Sequence, residues 1–351
     1  MRTYAIWGTA TSPTHEEWVR SVGRVFEQDG FVLVDDVADA DFVLNMFDPA
    51  EPKAFRRASR GTYSASFYEL DEAPEDVLKA SYPMLVRTLA NVVVLHVPGQ
   101  GVWFTTMERG TYRISDDPAE VFERLAPLAK SKLVIDNEFV PDLEPELWDG
   151  DEVTADIAAA GRRMGDLDLL PAPFPVHEFL DERDLRHVMR LYQVGGLSYG
   201  NLSARKDATR FWMSASGVDK TQLEVPGRDI LLVSGYDEAN AKMILSVPPG
   251  IEPRRVSVDA IEHWMIYRDH PDVGAILHVH AWMEGIAATD VNYPCGTQEL
   301  AESVAELIHR EPDPAHAVIG LRNHGITATG DSLTEILDRI EPKVLRQVPM
   351  T

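Results

Sequence analysis

The chain has 351 residues, enough for two or three domains. Lys and Arg number 33 against 57 Asp and Glu, a formal net charge of −24, which argues against nucleic-acid and membrane-surface partners because both are anionic. A lone cysteine, Cys295, excludes an internal disulfide and any CxxC motif, and no basic-then-apolar leader or membrane-length apolar run is present, so a cytoplasmic protein is expected.

The first part alternates strands and helices. Tyr4–Trp7 reads as a short strand, and Thr14-His15-Glu16-Glu17 as a capping box opening a helix to about Gln28. Phe31–Val34 and Phe42–Asn45 are the next strands, and Tyr63–Leu70 alternates like a half-exposed one. Glu75–Leu89 predicts a helix, Val92–Val97 a buried strand and Pro118–Lys130 another helix. This order predicts an α/β sandwich with a partly parallel sheet. The Gly8–Ser12 loop reads as an ordinary strand-to-helix connection, and His96 as a structural histidine.

No Lys or Arg occurs from Leu133 to Gly161, while acids recur, and alternate prolines follow at 171, 173 and 175. Such prolines favour an extended linker. The expected organisation is an α/β domain over 1–145, an acidic and Pro-rich linker over 146–176, and a second domain over 177–351.

The second part opens on a helix over Glu178–Tyr192 that ends at Gly195-Gly196. Strands follow at Phe211–Ser214, Ile230–Val233, Ala275–His280 and Ala317–Leu321, with helices over Ala260–Arg268 and Gln298–His309. These predict a mainly β core covered by helices. His278 and His280 stand at i and i+2 on a strand, so both imidazoles project from one face. Two such rings make half of a divalent-metal site, and His324, followed by Gly325 after a buried strand, is the third candidate. Asp259, at a helix start, is either an acid favoured by the helix dipole or a carboxylate beside the metal. Cys295 reads as a small packed residue, because no base is evident beside it, and His263 as structural.

These motifs resemble the class II aldolase/adducin family, of the fuculose-phosphate aldolase and ribulose-phosphate 4-epimerase type, over about 178–340. The resemblance rests on Gly200-Asn201-Leu202-Ser203-Ala204-Arg205, Ser216-Gly217, Ser257-Val258-Asp259, His278-Val279-His280, Gly296–Ala301 and Asn323-His324-Gly325 in that order. It implies an α/β/α domain with a mainly β core. His278, His280 and His324 would hold a divalent metal, usually Zn²⁺, with Mn²⁺, Fe²⁺ or Co²⁺ as alternatives. Asp259 would be the catalytic carboxylate. Gly200, Asn201, Ser216, Gly217 and Ser257 would bind the substrate. The implied activity is a metal-dependent lyase that cleaves a C–C bond of a small hydroxylated carbonyl or sugar-phosphate-like substrate through an enediolate, in a homotetramer. Alternative readings are an epimerase, a decarboxylase, an iron oxygenase or an adducin-like binding protein. Val258 replaces a second serine of the family's anion-binding loop, which opens the site to a substrate without phosphate.

Overall fold

The computed structural model describes residues 1–54, 62–106, 110–171, 175–191 and 198–351, with 188–191 described by backbone alone. The chain divides into two units. One comprises Met1–Lys130, Phe174–Val188 and Met350–Thr351, the other Ser131–Pro173 and Met189–Pro349. Among the described residues no helix is long and apolar enough to cross a membrane.

The first unit contains β1 (Thr3–Gly8), α1 (Pro13–Gln28), β2 (Val32–Leu33), β3 (Phe42–Met46), β4 (Tyr63–Glu69), α2 (Val77–Thr88), β5 (Val92–Val97), β6 (Gly101–Thr106), β7 (Gly110–Ile114) and α3 (Pro118–Lys130). Among the described residues they build a seven-stranded sheet in the order β2-β1-β3-β4-β5-β6-β7. The pairs from β2 to β5 are parallel, and β6 and β7 add antiparallel. Two expectations need correction. β4 is central rather than half-exposed, with every residue from Tyr63 to Tyr68 buried. α1 starts earlier than the capping box suggests: Ser12 is its N-cap, accepting from the His15 N–H at 2.9 Å, with Pro13 in the first turn where its missing N–H is harmless. The Gly8–Ser12 loop is an ordinary connection, and the Glu69 carboxylate accepts from Ser12 Oγ at 2.8 Å beside the start of α1. His96 is structural as expected, bonded to Glu69 at 2.9 Å and stacked on Trp18.

The second unit contains β8 (Asp136–Val140) and α4 (Glu152–Asp166). After α5 (Val176–Phe179) and α6 (Glu182–Leu191) come β9 (Asn201–Arg205), β10 (Phe211–Ser214), β11 (Ile230–Asp237), β12 (Lys242–Ser246), α7 (Ala260–Asp269), β13 (Ala275–Val279), α8 (Gln298–Arg310), β14 (Val318–Leu321), β15 (Gly325–Gly330) and α9 (Leu333–Ile340). Its sheet runs β14-β15-β13-β9-β10-β11-β12-β8, antiparallel except where β8 joins β12. α4 and α9 pack on one face, α7 and α8 on the other. The apolar core includes Trp212, Leu231, Leu277, Ile308 and Ile336, all fully buried.

The linker expected over 146–176 is corrected in both directions. The acid-rich stretch is structure: Leu147, Ile157 and Met164 enter the core of the second unit. Its acids are tied down, since Asp151 caps α4 in a capping box and accepts from Lys206 and Trp212, while Glu144 takes Arg210. Composition suggested a solvated linker because it does not record these partners. The helix expected over Glu178–Tyr192 is two helices, with Asp181 Oδ1 accepting from the Asp184 N–H at 2.8 Å to restart the chain. It also starts outside the second unit, because Asp184 pairs with Arg87 and Phe179 packs edge-on to Tyr82. Tyr192, Gly195-Gly196 and residues 172–174 lie outside the described residues.

Candidate metal centre

Register across three strands builds the floor of the site. His278 on β13 pairs with Asn201 on β9 and with Thr327 on β15. Directly paired residues share a face of the sheet, so Asn201, His278 and Thr327 form a buried polar row under α7. The glycine of the Gly200–Asn201 turn is dictated by approach as well as by φ, which is +74°: a Cβ there would lie 2.6 Å from the His278 carbonyl oxygen.

His280 follows β13 on the same face as His278, and their ring centroids are 5.2 Å apart. His324 arrives on the turn between β14 and β15. The left-handed residue of that turn is Asn323, at φ 55°, not Gly325. Gly325 is required by space, because a Cβ there would meet the Val279 carbonyl oxygen at 2.2 Å. Gly325 therefore does not turn the chain, as a glycine after this histidine would be expected to; it lets β15 close onto β13. The His324 ring then lies 4.7 Å from His278 and 4.9 Å from His280. One ring nitrogen of each histidine falls within 4.8 Å of the others, all three residues being buried. Three neutral imidazoles in a cluster of this size suit a divalent transition metal and leave coordination positions for substrate. His278 Nδ1 lies 3.1 Å from the Ile326 carbonyl oxygen, which only accepts. Nδ1 therefore carries the proton, and Nε2 keeps the lone pair a metal needs.

Asp259 stands at the N-cap of α7, yet its side chain caps no backbone N–H. Its Oδ2 instead accepts from Asn201 Nδ2 at 2.7 Å, and the residue is only 5% exposed. A bond to the neighbouring strand, not a cap bond, therefore orients the carboxylate. Ser257 and Ser216-Gly217 adjoin Asp259 through an antiparallel bridge between Ala215 and Val256 and the Ser257 N–H to Ser214 carbonyl bond of 3.2 Å. Gly217 turns at φ +68°. Asn201 and Asp259 thus touch directly, whereas the two serines and Gly217 form the adjoining wall.

Four residues of this region carry no motif that sequence reasoning used. Glu262 lies one helical turn after Asp259, on the same face of α7. It accepts from Thr327 Oγ1 at 2.6 Å, and that hydroxyl lies 3.4 Å from His278 Nδ1. The i, i+3 spacing from Asp259 was its only signal. Burial, and then the charge of Asp259, hold the Glu262 carboxyl well above the usual carboxylate range. Cys295, read as a packed residue with no base nearby, has Sγ 3.3 Å from His324 Nε2. Tyr199 stacks on His280, with ring centroids 5.3 Å apart. Lys220, four residues after Ser216, is buried. His263 is structural as expected: Nδ1 meets Ser203 Oγ at 2.7 Å, and burial pushes the imidazole down to about 3.

The raised Glu262 carboxyl has a measurable sign. Between the unfolded and folded pKa values the native state holds a proton that the unfolded state has lost, so stability falls as pH rises through that window. Glu262→Gln removes this dependence. In metal-stripped protein its urea midpoint should exceed wild type at about pH 8.5 by the equivalent of about 1–3 kcal/mol. The gap should close toward about pH 5, where both side chains are neutral. An equal gap at both pH values would contradict a protonated native carboxyl.

Residues 185–342 match the family described as "Class II Aldolase and Adducin N-terminal domain". The methylthioribulose-1-phosphate dehydratase of two Leptospira biflexa serovar Patoc strains is 32% identical over 111 residues, which are 31% of this chain and 49% of that protein. The chain thus spans about half the length of the curated relatives it matches. Among solved structures, an L-fuculose 1-phosphate aldolase is 18% identical at a TM-score of 0.38, covering 55% of this chain and 81% of that one. The L-fuculose-1-phosphate aldolase of Thermus thermophilus is 20% identical at 0.35, covering 54% and 90%. The N-terminal class II aldolase domain of a Thermoplasma acidophilum protein is 16% identical at 0.36, covering 57% and 94%. Residues 185–342 are a domain of the class II aldolase and adducin family.

Proposed function

We propose that this domain is a divalent-metal-dependent lyase acting on a small hydroxylated carbonyl compound. The observation that carries the proposal is the cluster of three buried imidazoles with Asp259 bound to Asn201 in the neighbouring strand position. His278, His280 and His324 would hold the metal, and zinc suits three nitrogen donors with an open position. A metal bound there would supply Lewis-acid stabilisation of negative charge developing on substrate oxygens. Asp259 moves the substrate proton, and Asn201 fixes which carboxylate oxygen faces inward. Ser216, Gly217 and Ser257 offer hydroxyl and backbone donors to an anionic group, and Gly200 lets the turn that carries Asn201 lie close against the His278 carbonyl. Aldolase-type C–C cleavage fits the motif set. Loss of water is the second reading, favoured by the identity to a methylthioribulose-1-phosphate dehydratase. Both need one carboxylate positioned to take and return a proton.

Metal content by mass spectrometry on tag-free protein tests the core of this reading. Wild type should carry about one divalent metal per chain and His280→Ala should lose it. Wild type loaded in that way should turn over methylthioribulose 1-phosphate or a ketose 1-phosphate, and release of an aldehyde separates C–C cleavage from dehydration. Wild type that stays metal-free after exposure to Zn²⁺, Mn²⁺, Fe²⁺ and Co²⁺ would sink the lyase and leave an adducin-like binding module.

A further inference from the structure

Lys220 is 3% exposed, yet its bonds run to backbone carbonyls rather than to a carboxylate. Nζ donates to the Ser198 carbonyl at 2.6 Å and to the Val218 carbonyl at 3.4 Å. Its own backbone N–H donates to Ser198 Oγ at 3.2 Å. Ser198 leads into Tyr199, which stacks on His280, and into Gly200-Asn201, which holds Asp259. Val218 follows directly on Ser216-Gly217. One ammonium therefore ties together the two loops assigned above to the substrate.

We propose that Lys220 is a positioning residue that clamps the Ser198–Asn201 turn to the Ser216–Val218 turn and holds both in register with Asp259. This rests on the lyase reading for its purpose, though not for its test. A buried ammonium is expensive, and an apolar side chain of similar length would fill the same space at lower cost. The element that seats it is shaped for it. α4 meets this turn through two glycines: a Cβ on Gly161 would strike the Lys220 carbonyl oxygen at 2.0 Å, and one on Gly165 would lie 2.6 Å from Thr221 Cγ2. The charged groups that act on the ammonium are Asp219, on its own turn and already engaged by Thr221 and Gln222, and Asp259 from α7. Burial outweighs both and pushes the amine down to about 8. The clamp therefore weakens as pH rises through about 8, when the ammonium loses a proton and its charge.

Hydrogen exchange read by mass spectrometry on the full chain, with metal content measured on the same samples, tests this without any substrate. Lys220→Met should speed exchange about tenfold in both 198–203 and 214–219 and leave metal content unchanged. In wild type, exchange in both segments, corrected for the intrinsic rate, should step up between about pH 7 and about pH 9. Lys220→Gln keeps an N–H donor without a titrating charge, so its step should vanish. This variant and the wild-type step decide the matter if Lys220→Met fails to fold. A step that persists in Lys220→Gln, or loosening of only one segment in Lys220→Met, overturns the clamp. Absence of metal from every sample would overturn the lyase reading and leave the exchange result standing.

Discussion

Asp259→Asn is expected to keep the metal and to lose turnover by about 10²–10⁴-fold, the usual contribution of a positioned acid or base. The exchange is nearly isosteric, so the buried volume at the start of α7 is preserved. It changes what the group does. An amide neither takes a substrate proton nor carries the charge that Asn201 Nδ2 addresses at 2.7 Å. The new side chain must present its carbonyl oxygen to Asn201, which fixes its orientation while removing its basicity. Because the three histidines are unaltered, metal content should stay at the wild-type value. The measurement is turnover of whichever substrate wild type accepts, alongside metal content and a urea midpoint. Turnover within about threefold of wild type would remove Asp259 from the proton-transfer role. Joint loss of metal and turnover would make it a ligand instead, the alternative left open by its bond to Asn201, the strand partner of His278.

The histidine cluster was legible because its residues stand in short, readable patterns. A histidine at i and i+2 on an apolar strand announces a shared face, and His324 lies just before a glycine after a second buried strand. What sequence could not show is how strands distant in the chain come into register. Asn201 and Thr327 flank His278 only because β9 and β15 pair with β13; Asn201 was marked by its Gly200–Arg205 motif but not as a neighbour of His278, and Thr327 carries no signal of its own. Glu262 escaped for a related reason. α7 turns a polar face inward, with Glu262, His263 and Tyr267 buried, so the rule that charged residues mark the solvent side fails there. Such a failure of the hydrophobic pattern is itself what a functional site produces. The acid-rich stretch before the second domain misled in the opposite sense. Its composition resembles a linker, but Asp151 and Glu144 are consumed by Lys206, Trp212 and Arg210, and the helix it contains supplies the two glycines against which Lys220 and Thr221 sit.

Gly325→Ala should be the most damaging single-carbon addition at this site. The residue needs no left-handed backbone, so the penalty is one of space alone. The added Cβ would lie 2.2 Å from the Val279 carbonyl oxygen and 3.1 Å from the His280 Cα. Both neighbours are backbone, which cannot rotate away as a side chain would. Relief requires the start of β15 to lift from the end of β13, where Val279 pairs with Ile326. That movement carries His324 away from His280, whose rings now stand 4.9 Å apart. Overpacking of this kind typically costs about 1–3 kcal/mol in stability. Metal affinity should fall further in proportion, by at least about 10–100-fold, because the ligands rather than only their supports are displaced. Gly285→Ala is the matched control. It stands at φ +76° with nothing within 4 Å of its added Cβ, so it incurs backbone strain of about 1–2 kcal/mol without touching the cluster. Chelator competition on the two variants separates the effects. A Gly325→Ala protein that is destabilised but binds metal as tightly as Gly285→Ala would show that the β13–β15 contact supports the fold without setting the spacing of the histidines.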